Sequence, residues 1–139
     1  MNIGAMGHER FRLQSLDDSR PYLVGQVERY PLGEEDPAAI TQAAVRLRPW
    51  VMRYLETITR DEEGDKKIDP EQVPDEPIPL AYAAATLLQI PPEQKQELLG
   101  IEEAQSLLVA LRGFYRWEVA LVKAMLEPQG MDQGSFSMN

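Results

Sequence analysis

The sequence predicts an α+β protein that is mainly α, with short antiparallel strands followed by a four- to five-helix bundle. Two observations carry this. Apolar and charged residues alternate with a period of two in Gly7-His8-Glu9-Arg10-Phe11-Arg12-Leu13 and again after Pro21, the mark of strands with one buried face. From Asp36 onward the apolar spacing lengthens to three and four, the mark of helices. At 139 residues, 43% of them apolar, the chain suits one domain, or a small β part joined to a helical part. The expected division is a β segment at 1–33, a helical bundle at 34–128 with an acidic, proline-rich loop at 61–77, and a flexible tail at 129–139.

The first strand is expected near Asn2–Ala5 and the second near Glu9–Gln14, with Glu9, Phe11 and Leu13 on one face and Arg10 and Arg12 on the other. The polar turn Asp17-Asp18-Ser19-Arg20 breaks the run. A third strand follows near Tyr22–Tyr30 and stops at Pro31-Leu32-Gly33. Asp36-Pro37 reads as an N-cap with proline at the first helical position, where its missing N–H costs nothing. Ile40, Ala44, Leu47, Val51, Tyr54 or Leu55, and Ile58 then form one helix face. Pro49 lies inside this helix and cannot donate to the carbonyl of Val45, so a kink or a split is expected there, with Trp50 turned inward just after it.

Eight acids and two lysines between Asp61 and Pro77 concentrate a net −6 of the chain's −9 in what reads as a solvated linker. A short alanine-rich helix, Pro79–Leu88, follows. Its small side chains suit the centre of a bundle. Pro91-Pro92 ends it and opens Glu93–Leu99, closed by Gly100. The last helix, from about Glu102 to Leu126, carries a stripe of Ala104, Leu107, Leu108, Leu111, Tyr115, Val122 and Met125, with Phe114 and Leu121 at its border. Pro128 and Gly130 stop it.

These pieces, in this order, resemble the N-terminal substrate-binding domain of Lon-type proteases. There a G-x-x-R-F-x-hydrophobic strand precedes a strand that opens with P-Y-L and carries a valine further on, as Gly7 to Leu13 precedes Pro21-Tyr22-Leu23-Val24-Gly25-Gln26-Val27 here. An alanine-bearing helix, a K-Q-x-L-L helix (Lys95-Gln96-Glu97-Leu98-Leu99) and a long terminal helix follow in both. The resemblance spans roughly residues 3 to 126. Gly100 stands where the family usually has an acid, and Ser106 where an arginine usually precedes leucine. The family domain also begins with several more strands, so the resemblance implies that the β part is a remnant of a PUA-like barrel. It further implies a non-catalytic module that contacts unfolded or extended polypeptide, or a protease or chaperone partner.

The residues independently disfavour chemistry. No lysine follows a glycine, so a P-loop is absent. With His8 as the only histidine and no cysteine, neither a zincin site nor a Ser–His–Asp triad can be assembled. A Ser–Lys dyad, the chemistry of Lon proteases themselves, finds no partners: Ser106 and Lys123 share a helix but lie too far apart along it. No catalytic residue, cofactor or metal is expected. The acidic balance disfavours nucleic acid. The longest apolar run, around Leu80–Leu88, falls well short of a membrane span. No secretory signal is visible, and a cytoplasmic location is expected.

What remains is binding. Trp50, Tyr54, Tyr82, Tyr115 and Trp117 are the candidate polypeptide-binding residues, with Met6, Met52 and Met125 as adaptable contacts. An open strand edge beside Tyr22, Leu23, Val24 and Val27 points to a homodimer through the β segment. The alternative reading is a helical scaffold or adaptor acting through oligomerisation.

Overall fold

A computed structural model describes residues 9–59 and 69–127. The two runs of period-two alternation pair as an antiparallel hairpin, β1 (Phe11–Asp17) and β2 (Val24–Arg29). Asp17 Oδ1 accepts the Ser19 amide at 2.8 Å and fixes the turn between them. That bond also holds the Asp17 carboxyl below its ordinary range. A bulge between Leu13 and Ser15 shifts the register, so that Leu16 pairs with Gly25 after Leu13 has paired with Val27. The strand expected near Asn2–Ala5 lies outside the described residues, and β1 sits further along the chain than Glu9–Gln14.

The hairpin does not bury the face that the alternation predicts. Phe11, Leu13, Leu16 and Val27 share a face and are each more than half exposed, whereas Arg10 is buried. A two-stranded sheet can dock by either face, and here the carbonyls that receive Arg10 lie on the helical side. Arg10, just ahead of β1, makes the buried contact, while every residue of β1 and all of β2 but the half-buried Val24 stay exposed. Among the described residues nothing covers the apolar face.

After β2, Leu32 is buried and Gly33 pairs in parallel with Glu103. The Gly33 amide donates to Glu102 O at 2.8 Å, and the Ala104 amide donates to Gly33 O at 2.9 Å. This bridge starts the two long helices, α1 (Pro37–Thr59) and α4 (Ala104–Leu126), from the same level. They run side by side in one direction: Ala39 to Arg46 lie opposite Gln105 to Arg112, and Trp50 lies opposite Gly113 to Lys123. Asp36 Oδ1 accepts the Ala39 amide at 3.1 Å and caps α1.

Pro49 does not split α1, which continues unbroken to Thr59. The carbonyl that loses its helical donor belongs to Val45, whose side chain is 67% exposed, so the gap lies on the solvent side. Trp50 is half-buried against the core rather than fully inward.

The acidic loop is not wholly a solvated linker either. In its described part Asp69 caps a 3-10 turn at Pro70–Gln72, Val73 is buried in the core, and Asp75 pairs with Arg48 at 2.9 Å. Helix α2 (Pro77–Leu87) then begins two residues earlier than expected. Its Leu80, Ala81 and Ala84 are fully buried, and the two alanines let both long helices approach it. Helix α3 (Pro92–Leu99) buries only Leu98 and ends where the Gly100 amide donates to Gln96 O and Glu97 O.

On α4 the buried stripe is Ala104, Leu107, Leu108, Leu111, Tyr115 and Val119. It ends at Val119 rather than at Met125, which is 73% exposed. The core is closed by Tyr54 and Tyr115, edge to face at 5.2 Å. Tyr115 Oη donates to Ala84 O at 2.6 Å, and Tyr54 Oη accepts the Gln89 amide at 3.4 Å. The observed fold is α+β and mainly α: two antiparallel strands, then four α-helices among the described residues.

Candidate functional site

Arg10 decides how the surface grooves are arranged. Its Nε donates to Tyr30 O at 3.0 Å, and its Nη1 donates to Leu99 O at 2.7 Å and to Ile101 O. One side chain thus ties the hairpin to the end of α3 and the start of α4. The guanidinium also lies over the Tyr30 ring at 4.8 Å, a ring that Arg12 covers as well at 4.2 Å. Glu102 beside that phenol pushes its pKa above the ordinary value.

Arg10 held in this way walls a groove of about 600 Å³ between α2 and α3. Its surface is mostly apolar, with Tyr82, Ala85, Ile90, Leu98 and Leu107 around Arg10. Lys95 sits at the groove and donates to Thr86 O at 3.1 Å, which leaves further N–H donors on the ammonium. On the other side of Tyr82 and Arg10 is a smaller cavity of about 300 Å³, lined by Pro31, Leu32 and Ile78 with Glu9, Glu34 and Arg29. Tyr82, half-buried, therefore borders two apolar depressions at once.

A third depression of about 500 Å³ follows the seam between α1 and α4. Trp50 lies in it with the Arg53 guanidinium 4.9 Å and the Arg116 guanidinium 5.8 Å from its ring centre. Trp117, 68% exposed, and Lys123 line the same seam. Gly113 leaves space beside them, since a Cβ there would meet nothing within 4 Å.

The five aromatic residues singled out from the sequence thus separate. Trp50 and Trp117 share the seam, and Tyr82 stands apart in the α2–α3 groove. Tyr54 and Tyr115 are buried in the core, where desolvation raises both phenol pKa values, and neither presents surface to a ligand. Met52 is half-buried, Met125 is exposed, and Met6 lies outside the described residues. Arg10, Ile90, Arg53 and Arg116 were not anticipated. Only Arg10 had a local signal, its place in the strand motif. The others meet through packing of helices distant in sequence.

Chemically these surfaces can hold apolar and aromatic groups with cations at their edges. Among the described residues no cluster of histidine, cysteine, aspartate or glutamate could hold a metal ion. No helix among them is long and apolar enough to cross a membrane.

Comparison with known proteins follows the same line. The family model described as the ATP-dependent protease La (LON) substrate-binding domain matches residues 1–113. A protein named Lon protease, from Phenylobacterium zucineum (strain HLK1), is 24% identical over 126 residues, covering 91% of this chain and 16% of that protein. The chain therefore spans about a sixth of the length of this relative. No solved structure matches. The chain belongs to the substrate-binding domain family of ATP-dependent protease La.

Proposed function

We propose that the chain is a non-catalytic recognition module that binds unfolded or extended polypeptide in a protease context, in the cytoplasm. The observation that carries this is the open apolar groove around Tyr82, between α2 and α3, in a member of a substrate-binding family. An extended chain can lay an apolar side chain against Ile90 and Leu98 while its backbone carbonyls accept from Lys95. Absence of catalysis is supported by the single histidine and the lack of cysteine and of a glycine–lysine pair. The relative named Lon protease is matched over 16% of its length, and a protease or chaperone is the proposed partner class.

The test is fluorescence anisotropy of a labelled, reduced and alkylated model polypeptide, with the wild type and with Ile90→Asp. A carboxylate inside the groove should weaken binding by about tenfold or more, since it must be desolvated there. Unchanged binding, or no binding by the wild type, contradicts the proposal.

The exposed apolar face of the hairpin favours a second role, self-association of two copies through the β segment. Phe11, Leu13, Leu16 and Val27 together form a patch of the kind that marks interaction surfaces, beside strands whose outer edges are unpaired among the described residues.

A further inference from the structure

We propose that the α1–α4 seam docks an acidic segment of polypeptide, with an apolar or aromatic side chain laid on the Trp50–Trp117 surface and carboxylates paired with Arg53, Arg116 and Lys123. This rests on the polypeptide-binding reading above and names the chemistry of one of its surfaces. The argument is charge complementarity. The chain carries −9 overall, yet the lining of the seam contains no acid.

The cationic character continues toward the start of the helices. A smaller cavity on the same seam is lined by Arg46 and Arg112, again without an acid, and Arg112 Nε is buried there with no acceptor. Glu118 and Glu127, the acids of this part of α4, line neither cavity. The ion pairs Arg12–Glu102, Arg29–Glu9 and Arg48–Asp75 lie elsewhere. None of these three pairs uses Arg53, Arg116 or Lys123.

The dimensions fit a short segment. From Arg112 to Lys123 the helix rises about 16 Å, the length of roughly five residues of extended chain. Alternating side chains of that segment point to opposite sides, so two or three acids can face the arginines while an intervening ring meets Trp50. Single-stranded nucleic acid could also stack on a tryptophan between arginines. The acidic remainder of the surface opposes it, because a phosphate backbone keeps its charge along its whole length.

The test uses the full chain and three labelled probes. The first is a peptide of about twelve residues (roughly 40 Å extended) alternating Asp or Glu with Leu and Phe. The second is its isostere with Asn and Gln, and the third is an oligothymidylate of similar length. The acidic peptide should bind about tenfold more tightly than the neutral one at low ionic strength and quench tryptophan emission. This advantage should shrink at about 1 M salt, where the Debye length is near 3 Å. Arg53→Gln with Arg116→Gln should abolish the advantage, bringing the acidic peptide's affinity down to that of the neutral one measured on the same variant. Gly113→Leu should also weaken the acidic peptide, by filling the space beside Trp50 with a residue that favours helix more than glycine does. Equal affinity for the two peptides, insensitivity to both variants, or equally tight oligothymidylate binding would overturn the inference alone. Failure to bind either peptide would overturn the polypeptide reading with it.

Discussion

Arg10 brings a full positive charge between hairpin and helices and meets carbonyl oxygens there, not a carboxylate. Three directed donors suit a guanidinium and do not suit a lysine ammonium on its flexible stem. Arg10→Ala should therefore cost about 2–3 kcal/mol in urea denaturation, with Arg10→Lys recovering little of it. Tyr115 makes the complementary case of a buried neutral group. Burial raises its phenol pKa above the ordinary value near 10, so folding favours the protonated form. Stability should hold below about pH 10 and fall as pH rises beyond it. Tyr115→Phe should cost about 1 kcal/mol at neutral pH, because Ala84 O keeps its bond from the Leu88 amide. The same variant should reduce the alkaline loss without abolishing it, since Tyr54 is raised by the same burial. Urea midpoints at neutral pH and near pH 11 measure both effects. Arg10's burial was not legible in advance, whereas Tyr115 already lay in the apolar stripe of the last helix although it was also a candidate for binding. Alternation in Glu9 to Leu13 identifies a strand but not its inner face, and an aromatic at helical spacing reads alike as core or as groove.

At the scale of elements, period alone located the hairpin and the helices, and the cap at Asp36 located the start of α1. Pro49 does not split α1, because its cost depends on where the unpaired carbonyl points, which only packing decides. In the observed helix that cost is still present, so Pro49→Ala should raise stability by about 1–3 kcal/mol, read as a higher urea midpoint. An unchanged or lower midpoint would mean that the proline's restriction of the unfolded chain outweighs the missing bond. Helix α2 gives the opposite case. Ala81 is fully buried where both long helices approach α2, and Ala81→Leu should destabilise by about 1–3 kcal/mol through overpacking. The grooves were not legible at this scale. Tyr82 faces Ile90 and Leu98, and Trp50 faces Arg116, across helices whose order in sequence says nothing of their adjacency in space.

For the whole molecule, the two open questions are what covers the hairpin and what fills the grooves. Light scattering after size exclusion should give a mass near twice 15.8 kDa, and Phe11→Glu with Leu13→Glu should return it to 15.8 kDa. A wild-type mass of 15.8 kDa that persists as concentration rises would reject the homodimer. The central claim, that this chain recognises polypeptide through its grooves, is tested most directly by hydrogen exchange with and without a saturating unfolded polypeptide. Bound polypeptide should slow exchange in α2 and α3, around Tyr82 to Leu99, and along α4 from Gly113 to Lys123. Protection confined to the hairpin, or none at saturation, would contradict it.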